Sequence, residues 1–114
     1  MTGFLTTHVL DTASGIPAAG MRVDLYRLAG DARDHVVTMH TNADGRTDCP
    51  ILPQNNFTKG RYELLFQVGA YFARDEDVAF LDEVPIRFGI SDPASHFHVP
   101  LLVSPFSFST YRGS

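Results

Sequence analysis

The sequence predicts an all-β fold, a two-sheet β-sandwich of seven or eight short strands with one short helix. Three observations lead there. Apolar and polar residues alternate along most of the chain, the period that gives a strand one buried face. Turn-forming Gly, Pro, Asn and Asp recur roughly every 8–12 residues, the spacing of a sandwich. One stretch, residues 70–81, breaks that rhythm and is the single candidate for a helix. At 114 residues the chain is expected to be one domain, 1–114, large enough for a core but not for two.

The elements follow in order. In residues 5–11, Leu5, Thr7 and Val9 oppose Thr6, His8 and Leu10. The turn signals of residues 12–17 close that strand. Met21, Val23 and Leu25 alternate with Arg22, Asp24 and Tyr26 in a second strand to about Leu28. Residues 30–34 are polar and predict a loop. A third strand, 36–41, ends before the Asp44-Gly45 turn signal. Residues 46–48 allow a very short strand, and Pro50, Pro53 and Asn55-Asn56 make the next connection irregular. Residues 61–68 give the clearest strand, with Tyr62, Leu64, Phe66 and Val68 inward and Arg61, Glu63 and Gln67 outward.

In residues 70–81, Phe72, Glu76 and Phe80 are spaced by four, as are Ala73, Asp77 and Leu81, and no Gly or Pro intervenes. That spacing predicts the helix. Val84, Ile86, Phe88 and Ile90 restore the period of two. After Ser91-Asp92-Pro93 comes the stretch 96–104, in which His96 and His98 share one face and Phe97, Val99, Leu101 and Val103 the other. Ser104-Pro105 interrupts it before Phe106, Phe108 and Thr110 alternate with Ser107, Ser109 and Tyr111. The chain then stops on Tyr111-Arg112-Gly113-Ser114, with Gly113 expected as a point of flexibility.

Composition excludes several classes. Hydrophobic residues make up 44% and charged residues 19%, the balance of a globular chain rather than a disordered one. A net charge of −4 offers no basic footprint for nucleic acid. The N-terminus lacks the basic start and apolar run of a signal peptide, and no stretch nears the ~20 apolar residues of a membrane span. A lone cysteine, Cys49, forbids an intrachain disulfide and suits a reducing compartment. These features predict a cytoplasmic protein.

Five histidines are the main candidates for chemistry. His35, beside a polar loop, and His40, outward on a strand, are expected at the surface. His8 alone, among threonines, is expected as a polar neighbour on a solvated face, and Arg46 alone as a charge after a turn. His96 and His98 form an i, i+2 pair on one face, which leaves three readings: a hydrogen-bonded edge pair, half of a zinc site, or a general acid–base centre. No partner cluster completes a metal site, so none is predicted. Cys49 has no histidine nearby in sequence to make it a nucleophile. Neither a Gly-x-Ser-x-Gly elbow nor a glycine-rich phosphate loop occurs. Asp75, Glu76, Asp77, Asp82 and Glu83 are read as a solvated acidic face.

Three motifs carry a family resemblance. They are Leu5-Thr6-Thr7-His8-Val9-Leu10-Asp11-Thr12 with Gly15-Ile16-Pro17-Ala18, Thr41-Asn42-Ala43-Asp44-Gly45-Arg46, and His96-Phe97-His98-Val99-Pro100-Leu101-Leu102-Val103-Ser104-Pro105 closed by Ser109-Thr110-Tyr111-Arg112-Gly113-Ser114. Together the chain resembles the 5-hydroxyisourate hydrolases, the transthyretin-related proteins of purine degradation, over essentially its whole length. The resemblance implies a transthyretin-like sandwich and cofactor-free hydrolysis of 5-hydroxyisourate to 2-oxo-4-hydroxy-4-carboxy-5-ureidoimidazoline. It implies that His8, Arg46 and His98 line the active site, with either histidine as the base and Arg46 as the fixed charge. Tyr111 is implied as a substrate contact and Ser114 as a residue that positions the water or a histidine.

The resemblance further implies a homotetramer, a dimer of dimers, with active sites in a channel where dimers meet. Apolar outward positions such as Leu65, Leu102 and Phe108 are expected to be covered by another subunit. The alternative is a carrier, since transthyretin uses the same sandwich to bind a hormone and fold alone does not decide. The histidine–arginine set and the Tyr-Arg-Gly-Ser ending favour the enzyme.

Overall fold

The computed structural model describes residues 3–52, 56–73 and 78–113. Among them, the larger sheet grows from the four longest alternating runs. β1 (Leu5–Thr6), β2 (Val9–Asp11) and β3 (Ile16–Pro17) come first in the chain. They are followed by β4 (Arg22–Ala29), β5 (Ala32–His40) and β6 (Gly60–Gln67), helix α1 (Val68–Phe72) and β7 (Glu83–Ile90). An antiparallel sheet in the order β5-β4-β6-β7 results. Its register aligns Met39, Val23, Phe66 and Val84 in one row and Val37, Leu25, Leu64 and Ile86 in the next. Each row crosses the sheet on the core side, and each fully buried Leu or Phe in it contributes about 1.5–3 kcal/mol.

The second layer ends the chain. β8 (Phe97–His98) and β9 (Leu101–Val103) run parallel to β1 and β2, and β10 (Phe108–Thr110) closes a sheet ordered β10-β9-β2-β3. The ladder between 4–12 and 97–103 is continuous: Phe97, Val99 and Leu101 donate to the carbonyls of Phe4, Thr6 and His8, and Thr12 donates to that of Val103. β1–β2 and β8–β9 are therefore two interrupted strands, and the ten segments trace eight strand paths. Leu5, Val9, Phe97, Val99, Leu101 and Val103 are buried and close the core over the larger sheet. The outward residues of the same strands, Thr6, His8, His98 and Leu102, are half-buried. Among the described residues no helix is long and apolar enough to cross a membrane.

Several local expectations change. Residues 32–34 belong to β5, so the loop predicted at 30–34 shrinks to a turn in which Gly30 has a φ of 59°. Residues 46–48 form no strand. The helix covers Val68–Phe72 and ends at Ala73, which takes the left-handed conformation (φ 44°, ψ 50°) and donates to the Gly69 carbonyl. Part of the predicted helix, residues 74–77, lies outside the described residues, as do Asp75, Glu76 and Asp77 of the acidic face. Residues 78–81 are not helical, and Phe80 is 75% exposed. Tyr71 anchors the short helix by donating from its hydroxyl to Asp11 Oδ2 at 3.0 Å.

The outer face of the larger sheet is also less open than alternation suggests. Glu63 points outward by register yet is only 2% exposed. Arg33, reaching across β4 from β5, and Arg87 from the adjacent β7 hold its two carboxylate oxygens at 3.0 Å each, and their stems cover the surface around it. Leu65 is buried within the chain itself, which removes it from the positions awaiting another subunit. Phe108 stands opposite Val103 across the β10–β9 register, so it lies on the core side of an edge strand. Its 43% exposure comes from the edge.

Candidate active site

The parallel ladder brings the sequence-predicted residues together. Because β1 pairs with β8 at Thr6↔His98, the outward side chains of residues 6 and 98 stand side by side. Val9–Asp11 then pairs with Leu101–Val103, which sets His8 on the same face. His98 borders an open groove of about 800 Å³ lined by Ser95, His96, Tyr111, Arg112 and Gly113. A smaller hollow of about 200 Å³ lies beside it, where Thr6 and Thr7 meet Arg46, Thr47, Asp48 and Cys49. Thr6 Oγ1 and His98 Nδ1, 2.8 Å apart, join the two.

The two histidines differ in what holds them. His8 Nε2 lies 2.9 Å from the Asp44 carbonyl oxygen. A carbonyl only accepts, so Nε2 carries a proton and donates it to Asp44, which leaves the Nδ1 edge turned away from that contact. His98 Nδ1 faces a hydroxyl, which donates or accepts. Burial holds the His98 imidazole below its ordinary pKa, and the charges of Arg46 and His8 push it further down. At neutral pH His98 is therefore an uncharged imidazole beside a guanidinium, the state a general base requires.

Arg46 owes its place to a tight turn. The Asn42 carboxamide oxygen accepts from the backbone N–H groups of Asp44 and Arg46, and the Asn42 backbone donates to the Arg46 carbonyl. Gly45 sits at φ +78°, and a Cβ there would come within 2.4 Å of the Val9 carbonyl oxygen. Only glycine lets the turn approach so closely. The approach is bonded as well, by Val9 N–H to the Gly45 carbonyl at 2.8 Å. The turn that carries Arg46 is thus clipped to the strand that carries His8.

The C-terminal segment closes the other side of His98. Gly113 donates its N–H to the His98 carbonyl at 2.7 Å in an antiparallel bridge. A Cβ on Gly113 would lie 2.6 Å from His98 Cδ2, so glycine serves close packing here and the expected flexible point is a docked one. The Arg112 guanidinium stacks 4.2 Å over the Phe97 ring and donates to the His96 carbonyl at 3.3 Å. Tyr111 is 60% exposed at the groove rim. Ser114 lies outside the described residues.

Of the other histidines, His96 is exposed and packs against Phe4, the rings tilted by 47° with centroids 3.9 Å apart. His40 is exposed; His35, also exposed, meets Asp24 at 3.3 Å and Thr38 at 2.8 Å on the far sheet. Among the described residues no group of three or more His, Cys, Asp and Glu side chains gathers as for a metal ion. Sequence reasoning left out Thr6, the Asp44 carbonyl and Cys49 as neighbours of the site. Thr6 was legible, since it shares a face with His8 by alternation, while the other two depend on how the 42–49 turn folds back.

The profile of the HIUase/Transthyretin family matches residues 5–113. A relative from Rhizobium meliloti named 5-hydroxyisourate hydrolase 2 is 57% identical, the alignment covering 99% of this chain and 98% of that protein. The solved 5-hydroxyisourate hydrolase of Klebsiella pneumoniae superposes with a TM-score of 0.80 at 38% identity, covering 98% of this chain and all of that one. A solved (S)-allantoin synthase superposes with a TM-score of 0.91 at 51% identity; 99% of this chain matches, and it spans 44% of that longer chain. A family profile over nearly the full length and relatives this similar lead to one conclusion: the chain belongs to the HIUase/transthyretin family.

Proposed function

We propose that this protein hydrolyses 5-hydroxyisourate, opening the six-membered ring to 2-oxo-4-hydroxy-4-carboxy-5-ureidoimidazoline. The observation that carries the reading is His98 at the groove, joined through Thr6 to the hollow that holds Arg46, with its pKa lowered by burial and by the charge of Arg46. Full-length relatives bearing the hydrolase name support it. In the proposed reaction a water in the groove attacks the ring carbonyl carbon and gives its proton to His98 Nε2. Negative charge collects on the carbonyl oxygen, where Arg46 stabilises it. The ring C–N bond then breaks, and the proton on His98 passes to the departing nitrogen. Water is thereby divided between the new carboxyl group and the nitrogen, and neither metal nor cofactor is consumed.

His8, its Nε2–H committed to Asp44, offers Nδ1 to the substrate and takes the binding role. Tyr111 contacts the planar ring from the groove rim, and Ser114 positions the attacking water. A carrier has no use for an imidazole kept neutral beside a guanidinium, which sets the hydrolase above the hormone-carrier reading. The groove is open on one side and the outward strand face keeps Leu10 and Leu102 half-buried. We therefore propose a homotetramer, a dimer of dimers in the cytoplasm, in which this face meets its copy and walls in the substrate. The test is ultraviolet decay of freshly generated 5-hydroxyisourate. Decay no faster with the protein than without it would overturn the proposal.

A further inference from the structure

We propose that Thr6 is a positioning residue, whose Oγ1 accepts the Nδ1–H of His98 and so leaves the Nε2 lone pair to the groove. The inference deepens the hydrolase reading and rests on it for the role of His98. Three observations carry it. The Thr6 and His98 Cα atoms are partners in the β1–β8 register, so the contact is built by two backbones and not by a mobile loop. The two side chains meet at 2.8 Å and are partly buried. On the ring's opposite edge the backbone of Gly113 leaves no room for even a methyl group beside Cδ2, so the ring is held from both sides.

The direction of the bond follows from the chemistry. A base acting through Nε2 needs its proton on Nδ1. When Nε2 gains a second proton, an accepting Thr6 oxygen keeps its bond, and the bond strengthens because its donor is now charged. A donating Thr6 would have to turn over in mid-reaction. Among the described residues, the charged and titratable groups around the ring are His8 on the adjoining strand, Arg46 on its turn, and His96, Tyr111 and Arg112 along the groove. As a cation Arg46 opposes the imidazolium, whereas an accepting Thr6 oxygen favours it.

Two measurements on the full chain test this. Nitrogen NMR of ¹⁵N-histidine-labelled wild type, at a pH where His98 is neutral, should show its Nδ1 protonated and its Nε2 bare. The opposite tautomer overturns the proposal. In kinetics with 5-hydroxyisourate, Thr6→Val keeps the β-branched shape but not the oxygen. It should lower kcat roughly 10–100-fold with little change in KM, as loss of a histidine's orienting partner does. Its acid limb should move to lower pH, because the imidazolium has lost an acceptor. Thr6→Ser, which keeps the hydroxyl, should restore both kcat and the limb. A wild-type rate in Thr6→Val, a change confined to KM, or a limb moved to higher pH each defeat the proposal. An inert wild type with the expected tautomer would instead overturn the hydrolase reading, since the NMR result needs no turnover.

Discussion

Gly113→Ala adds one methyl group and tests whether the docked C-terminal segment sets the geometry of His98. The new carbon would lie 2.6 Å from His98 Cδ2 and 3.2 Å from its Cβ and Cγ. Carbon atoms in contact sit about 3.5–4.0 Å apart, so the ring or the chain must give way by about 1 Å. Gly113 does not have a positive φ, so alanine adds no backbone strain and the clash acts alone. If the ring moves, Nε2 leaves its attack position; if the chain lifts, the 2.7 Å bond from Gly113 N–H to His98 breaks and Tyr111 shifts with it. A displacement of about 1 Å costs on the order of 10²-fold in rate. The stability cost is bounded by one backbone hydrogen bond, about 0.5–1.5 kcal/mol. Steady-state kinetics on 5-hydroxyisourate beside a thermal melt reads both quantities. Gly15→Ala is the control: at φ +73° with nothing within 4 Å of the added carbon, it should cost stability and leave kcat alone. A wild-type kcat in Gly113→Ala would refute the packing argument.

Other expectations concern the charge, the metal and the assembly. His98→Ala and Arg46→Ala should each lower kcat/KM by about 10²-fold or more in proteins whose circular dichroism is unchanged; near-normal rates in both would remove them from the chemistry. In wild type the rate should fall as pH drops through the His98 pKa, below the usual imidazole value near 6.5. Arg46→Ala removes a charge that depresses that pKa, so its residual activity should show an acid limb at higher pH than wild type; a limb moved downward contradicts the electrostatics. Exhaustive chelation should leave the rate intact, and a loss restored only by zinc would return His96 and His98 to metal ligation. Sedimentation should give a tetramer, whereas a stable, fully active monomer would count against a site completed by a neighbouring copy.

The period of two made the faces legible, while the choice of His8, Arg46, Tyr111 and Ser114 as site residues came from the family resemblance. Thr6 and His8 fall opposite Leu5, Thr7 and Val9, and His98 opposite Phe97 and Val99; burial follows that division residue by residue. Alternation does not say which strand lies beside which, so the 2.8 Å meeting of Thr6 with His98 depended on a parallel pairing of residues 92 apart. It also misjudged Glu63. Glu63 is outward by period yet buried, because Arg87 from the adjacent β7 and Arg33 from β5, across β4, reach over it. The four-residue spacing in 70–81 misled for another reason. Ala73 leaves the helical region and residues 78–81 are not helical, although Phe72 and Leu81 both pack against the core.

The most direct measurement is a progress curve for freshly generated 5-hydroxyisourate, followed by ultraviolet absorbance and mass spectrometry. Wild type and a His98→Ala, Arg46→Ala double variant would be run side by side. The account predicts that wild type accelerates disappearance of the substrate with gain of one water, and that the folded double variant follows the uncatalysed curve. Equal acceleration by the two proteins, or none by wild type, would contradict it.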